Sequence, residues 1–573
     1  MSWIRKILTW IGGLTVLLVS LLVYAAATVE DSLPERMVVE IDLRAGMTEY
    51  TGDHPLALVK GDRPSLVEVT QALRRAANDE RVIGLFGRLG AARMSLAHIQ
   101  ELQSAITDFR ASGKPVIAFA ETMGGLLPAN GAYALATSFG DVRLQPSGGI
   151  GLVGLSVEHP FLRGTLDSLG IIPAFGQREA YKLAPNLFTE TGFTDVHREA
   201  TESLLKDQMA QLVSAIASER GVDPERVRTW IDEGPHNAQS AFAKGLVDDL
   251  AYLNEVKAAF RHDGGGAEFT DIGEYLDSET GDGGAKVALI YGVGTIVSGK
   301  SKYDAVGENQ SAGSDTIVDA LVAASEDPDV RAVLFRVDSP GGSYVASDAI
   351  WHATREVQAK GIPVVVSMGA AAATGGYLVS THADRIVAEP GTITGSIGVW
   401  AGKFVTPAFW QKLGVSWDSV SYGPQAELGS SLSNFSAEER RHFDGQLDRI
   451  YDAFSKQVAD GRELSDDQLI AAAGGRVWTG RQALEHGLVD SLGGVEVALA
   501  SIRELLDLDT RAELSLVVFP KPKDLVERIL EGDWEDLSTS TLPEVGLLRR
   551  VQRLSEVARE PAAWAPWLDV LRH

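Results

Sequence analysis

No cysteine occurs anywhere in this 573-residue chain. That excludes disulfides, a thiolate nucleophile and cysteine-ligated zinc, and it leaves the redox compartment open. Basic residues are also scarce: 52 Lys and Arg stand against 78 Asp and Glu, a formal net charge of −26. Contact with nucleic-acid phosphates requires clustered cations, so no nucleic-acid partner is expected. The chain lacks an HExxH pair, a Walker loop, an EF-hand loop and a dinucleotide fingerprint, so neither a metal nor a cofactor is expected. What remains is an ordinary globular composition, 45% hydrophobic and 23% charged, on a chain long enough for more than one domain.

One stretch lacks charge altogether. Ile7 to Ala27, "ILTWIGGLTVLLVSLLVYAAA", follows Arg5 and Lys6 and precedes Glu30 and Asp31. A helix of that length spans a hydrocarbon core of ~30 Å, and the flanking charges put the first six residues in the cytoplasm. The expectation is a single transmembrane anchor over 7–27, in contact with lipid, with the rest of the chain on the far side. A cleaved signal peptide is the competing reading, because "AAAT" offers small residues, but apolar regions of such peptides usually run only ~7–15 residues.

The remainder repeats itself. "ERVIGLFGRLGAARMSLAHIQELQSAITDFRASGKPVIAF" from Glu80 parallels "DVRAVLFRVDSPGGSYVASDAIWHATREVQAKGIPVVVS" from Asp329. "NGAYALATSFGDVRLQP" from Asn130 parallels "TGGYLVSTHADRIVAEP" from Thr374, and "SAFAKGLVDDL" parallels "RQALEHGLVDSL". Each unit reads strand, small-residue loop, amphipathic helix, strand. That order predicts βαβ units on a largely parallel sheet, hence a duplicated α/β fold. The expected domains are a first repeat over 35–261, a Gly-rich acidic linker over 262–284, a second repeat over 285–505 and a helical tail over 506–573.

The two copies differ in a complementary way. After its first strand the second copy has "DSPGGS", whose Gly341 and Gly342 can turn backbone N–H groups toward a developing oxyanion, whereas the first copy has "LGAARM" there. The second copy has Thr374 where the first has Asn130. The first has Lys182 in "FGQREAYKLAPN" where the second has Glu427 close by. A hydroxyl from one copy and a lysine from the other would make one composite site. Plainer readings exist for each: a Gly-Gly turn, a solvated lysine, and a threonine acting as helix N-cap. His382, eight positions past Thr374, reads as an ordinary surface histidine.

In combination, "DSPGGS", "TGGYL", "TGSIGV" and the upstream "YK", on a duplicated chain behind one apolar segment, resemble the signal peptide peptidase A (protease IV) family in its long, two-repeat form, over about residues 35–505. The resemblance implies a Clp-protease/crotonase-like α/β fold. It also implies a serine-type peptidase on a bacterial inner membrane, with its bulk in the periplasm, assembled as a homo-oligomer and cutting remnant signal peptides and short hydrophobic segments. Carried over motif by motif, the nucleophile position falls on Thr374 and the general base on Lys182. Ser396 would orient the lysine, and Gly341 and Gly342 match the oxyanion region. The chain departs from the family pattern in having threonine where serine is usual and Leu183 after the lysine. The threonine opens an alternative: a scaffold or peptide binder of the same fold with little or no activity. A hydratase of crotonase type is disfavoured by the apolar segment and the absence of a basic patch for a phosphorylated carrier.

Overall fold

The computed structural model describes residues 33–50, 64–278, 283–304 and 309–521, together with the backbone of a strand at 562–564. The expected anchor over 7–27 lies outside the described residues; among those described, no helix is long and apolar enough to cross a membrane.

Short apolar runs rich in Val, Ile and Phe build two parallel sheets, one per repeat. In the first, the strands run in the order Asp249–Leu250, Asp141–Leu144, Val116–Ala120, Val82–Leu89, Met37–Asp42 and Glu268–Asp271, all parallel. In the second, Val364–Ala373, Val330–Ser339, Ala285–Val293 and Leu514–Phe519 form the parallel centre, with Leu334 opposite Val365 and Ile290 opposite Phe335. The central strands Val330–Ser339 and Val364–Ala373 are buried on both faces, which is why they read as continuous apolar runs rather than alternating ones. Helices Leu96–Arg110 and Tyr344–Ala359 follow the first crossover in each copy, capped by Ser95 and Ser343.

The duplication extends to individual hydrogen bonds. The Tyr133 hydroxyl donates to Leu246 O in one repeat, and the Tyr377 hydroxyl donates to Leu488 O in the other, both at 2.9 Å. Asp248 accepts from Val142 N and Arg220, while Asp490 accepts from Ile386 N and Arg462. Each carboxylate thus ties the start of a short strand to a long helix.

Two domain assignments need correction. Residues 262–284 are not merely a linker: Glu268–Asp271 is the edge strand of the first sheet, beside Met37–Asp42, and Ile272–Asp277 is a helix. The Gly-rich stretch hid a four-residue strand too short to announce itself by pattern. The tail after 506 is not simply helical either. "LSLVVF", Leu514–Phe519, is an edge strand that pairs with Ala285–Val293.

Among the ties between the repeats in the described residues, a strand pairing and an ionic cluster bear on the site. Ile172–Gln177 of the first pairs antiparallel with Trp400–Val405 of the second. Between the repeats lies a buried ionic cluster. Arg336, fully buried, donates to both oxygens of Glu49 (2.9 and 2.5 Å), to Glu101 (2.7 Å) and to Ser367 (2.8 Å). The bidentate fork suits a carboxylate, and it crosses from one copy to the other.

Candidate active site

The strand Val364–Ala373 is apolar to its end and then meets Thr374, whose φ of 57° and ψ of −109° form a sharp turn into the helical turn Gly375–Leu378. Positive φ in a β-branched residue is a strained conformation, typically costing about 1–3 kcal/mol, and it must be held by its surroundings. Thr374 N donates to Gly395 O at 2.8 Å, and Leu378 N donates back to Thr374 O at 2.8 Å. Although Thr374 stands at the N-cap position, its side chain caps nothing. Its Oγ1 faces Lys182 Nζ instead, at 3.2 Å.

Lys182 reaches this point from the first repeat. Its segment follows the strand Ile172–Gln177 that is sewn to Trp400–Val405, and it is pinned by Arg178 N to Val399 O (2.8 Å) and Tyr181 N to Gly474 O (3.0 Å). Gly475, at φ 77°, leaves the gap in which the lysine backbone sits; a Cβ there would come within 2.5 Å of Lys182 N. Gly398 similarly borders the lysine stem: a Cβ there would sit 3.3 Å from Lys182 Cδ. The amine also meets Ser396 O and Ser396 Oγ, both at 3.1 Å. Ser396 too has positive φ, 55°, and its N donates to Arg476 O. The three side chains are at most 1% exposed. Burial, with no carboxylate partner among the described residues, holds the Lys182 amine well below the usual lysine range and favours its neutral form.

Gly341 and Gly342 lie against the turn: a Cβ on Gly375 would sit 3.2 Å from Gly342 N and 3.4 Å from Gly341 Cα. Gly341, at φ 105°, already donates its N–H to Ser339 Oγ (3.1 Å). The two glycines therefore differ, and Gly342 is the one whose amide borders Gly375. Ser339 was not singled out in the sequence; its position beside "PGG" was the available signal. The Gly474–Gly475 pair behind the lysine was missed as well, because glycine is plentiful in this chain and a pair alone says little.

The remaining candidates fall elsewhere. His382 accepts from Trp351 Nε1 at 2.9 Å, away from Thr374. Glu427 lies on the loop after Lys403, whose amine approaches its carbonyl. In the first repeat Asn130 fills its own pocket: Oδ1 accepts from Val153 N and Gly154 N, and Nδ2 donates to Gly154 O. That copy keeps the turn but has no free hydroxyl. Glu49, His98 and Asp338 bring ligand atoms within 4.8 Å of one another. Arg336, 2.5 Å from Glu49, already supplies the cation there, so the group is an ion-pair network.

A buried amine, neutral and within hydrogen-bond reach of a hydroxyl on a strained turn, with backbone amides alongside, is the equipment of a peptidase using a hydroxyl nucleophile and a lysine base. Comparison with known sequences gives the class its family. The pattern of Peptidase family S49 matches residues 108–265 and 356–509, and that of Clp protease matches 299–391. The chain is 32% identical to Protease 4 of Salmonella typhi over 462 residues, 78% of this chain and 72% of that protein. It is 27% identical to the chloroplastic serine protease SPPA of Arabidopsis thaliana over 82% of this chain and 70% of that one. A shorter match, 35% over 184 residues, covers 32% of this chain and 54% of a putative signal peptide peptidase SppA of Enterococcus faecium. The chain belongs to peptidase family S49, and it is a hydrolase of peptide bonds on a duplicated Clp-protease-like fold.

Proposed function

We propose that this protein is a membrane-anchored peptidase in which Thr374 is the nucleophile and neutral Lys182 its base, acting on remnant signal peptides and other short hydrophobic segments. The observation that carries the reading is the 3.2 Å contact between Lys182 Nζ and Thr374 Oγ1 at a site closed to bulk water. Lys182 takes the hydroxyl proton as Oγ1 bonds to the scissile carbonyl carbon. The carbonyl oxygen gains the charge and is met by the Gly342 N–H. The ammonium then gives its proton to the leaving amine as the C–N bond breaks. Water then attacks the ester carbonyl while the lysine takes its proton, and as the bond to Oγ1 breaks the ammonium returns that proton to Thr374. Ser396 holds the amine through two acceptors, so it points at one oxygen rather than sampling several. The first repeat supplies the base and the second the nucleophile, which is the use of the duplication.

The apolar Ile7–Ala27 segment supports the anchored form and a periplasmic location, and the name borne by the Enterococcus faecium relative supports the substrate class. The deciding experiment compares wild type, Thr374→Ser and Thr374→Ala on a hydrophobic peptide. Cleavage by wild type and the serine variant, with none from alanine, is the expected result. Equal cleavage by all three would place the nucleophile elsewhere. Cleavage by the serine variant alone would make the natural protein a peptide-binding scaffold.

A further inference from the structure

The lysine meets the second repeat along a seam made of glycine. Gly474 and Gly475, at φ 73° and 77°, lie between the Lys182 segment and the Ser396 segment. On one side Gly474 O accepts from Tyr181 N at 3.0 Å. On the other, Gly475 N donates to Ile397 O at 2.8 Å, and Arg476 O accepts from Ser396 N at 2.7 Å. Paired glycines permit this close approach, but they also bring the softest backbone to the place where a base must be held still. A side chain has to fix the seam.

Arg476 has the contacts to do so. Its guanidinium makes a two-pronged pair with Glu199 on the helix Asp195–Arg220: Nη2 donates to Oε1 at 2.7 Å and Nη1 to Oε2 at 3.0 Å. Its Cζ lies 4.8 Å from the centre of the Tyr181 ring and 4.7 Å from that of Trp478, within cation–π range of both. Trp478 is itself anchored, donating from Nε1 to Ala472 O at 2.9 Å. Tyr181 and Glu199 belong to the first repeat, Trp478 and Ser396 to the second. The Glu199 carboxylate is half-exposed, so the ion pair adds little to stability, and its use lies in geometry. A lysine at 476 would supply neither the fork nor the flat face.

We propose that Arg476 is the positioning residue that seats Lys182: its side chain grips Tyr181 and Glu199 of the first repeat while its carbonyl holds Ser396 of the second, which fixes the amine at Thr374 Oγ1. The inference rests on the peptidase reading for what the seated amine does. Without the grip, the Tyr181–Lys182 segment loosens on its glycine seam, water reaches the amine, and the ammonium form gains. Glu179, Glu199, Tyr451 and His486 are the other titratable groups facing this seam. Arg476 holds the Glu199 carboxyl below the carboxylate range, burial holds the His486 ring below its ordinary value, and burial pushes the Tyr451 hydroxyl up to about 12. None of those three therefore titrates between neutral pH and ~10.4, where the lysine does.

The test compares the full-length wild type with Arg476→Met, Glu199→Gln and Arg481→Met. The last cuts a different repeat-to-repeat pair, to Asp207, and serves as the structural control. Two measures are taken against pH: kcat/KM on a hydrophobic peptide, and the rate at which acetic anhydride labels Lys182, read by mass spectrometry of the digested protein. In Arg476→Met, kcat/KM at neutral pH should fall about ten- to a hundredfold, the cost of a misplaced group. The midpoints of both profiles should move up by about one pH unit or more, toward free lysine. The labelling plateau should also rise. Glu199→Gln should shift the same way by less, and it decides the matter if Arg476→Met does not fold. Arg481→Met should keep the wild-type midpoints. Unchanged midpoints in Arg476→Met, or an equal shift in the control, overturn the proposal whatever the loss of activity. Labelling reads the amine without catalysis, so the two readings fail separately. A wild type that cleaves while no midpoint moves sinks the seat alone; a labelling midpoint that moves while wild type cleaves nothing sinks the peptidase reading alone.

Discussion

Lys182 Nζ and Thr374 Oγ1 lie 3.2 Å apart across 192 residues of sequence. The contact joins the two repeats at one point. The amine has no carboxylate partner in this contact, only the hydroxyl and the two oxygens of Ser396.

Replacing the amine should separate catalysis from folding. Lys182→Met keeps the aliphatic stem and removes a buried polar group. Turnover should fall on the order of 10²–10⁴-fold, the range for loss of a general base. The thermal midpoint should be equal to or above that of wild type, because the nitrogen contributes no ion pair. A lower midpoint measured by calorimetry would show that the amine stabilises the fold.

The pH profile follows from the same burial. The Lys182 pKa is depressed, so the active neutral form appears at lower pH than for free lysine. Activity should rise with pH and level off well below ~10.4, the free lysine value. A profile of kcat/KM still climbing at that pH would contradict a neutral buried base.

Ser396 offers a finer measurement. Ser396→Ala removes one acceptor for the amine and leaves the Ser396 carbonyl, 3.1 Å away. One hydrogen bond is worth about 1 kcal/mol, so kcat should fall roughly five- to tenfold with KM little changed. A loss as large as that of Lys182→Met would give Ser396 a chemical role beyond orientation.

The ionic cluster between the repeats predicts a pH-dependent stability. Burial opposes charge on His98, but Asp338 and Glu49 outweigh it and push its pKa up to about 9. A group raised in the folded state stabilises fully below its unfolded value, ~6.5, and that contribution is lost as pH rises to about 9. Glu389 acts in the same direction at lower pH: burial and the nearby Glu101 raise it to about 8. The His98 share is therefore isolated by difference. Between pH 6.5 and 9, denaturation should show wild type losing up to ~3 kcal/mol more than His98→Gln. Parallel losses in the two proteins would remove His98 from the account.

Arg336 is the part of this cluster least able to be replaced. Arg336→Met leaves Glu49 and Glu101 buried without their cation, a change costing roughly 3–5 kcal/mol. The unfolding midpoint in urea should drop accordingly. Because Asp338, two residues on, fixes Ala371 N at 3.0 Å and leads into the Gly341 turn, activity should fall with it.

The sequence by itself determined the duplication and the α/β class, and it singled out Thr374, Lys182 and Ser396, which the structure brings together. Those follow from local facts: buried parallel strands demand continuous apolar runs, and a residue pattern copied twice keeps its turns at matching places. Thr374 and Lys182 were legible because the copies differ there in opposite senses. Only the tertiary structure decided the rest. The short strand Glu268–Asp271 exists because a sheet edge was available to pair with, not because of its own pattern, and the apolar run Leu514–Phe519 takes its place and register from Ala285–Val293. Gly341 and Gly342 look equivalent in "PGG", yet a hydroxyl from Ser339 engages one and leaves the other facing the turn. The neutrality of Lys182, the cluster around Arg336 and the contacts of Arg476 depend on groups brought together from distant parts of the chain. Burial and backbone pairing are properties of the packed whole, so no window of sequence contains them.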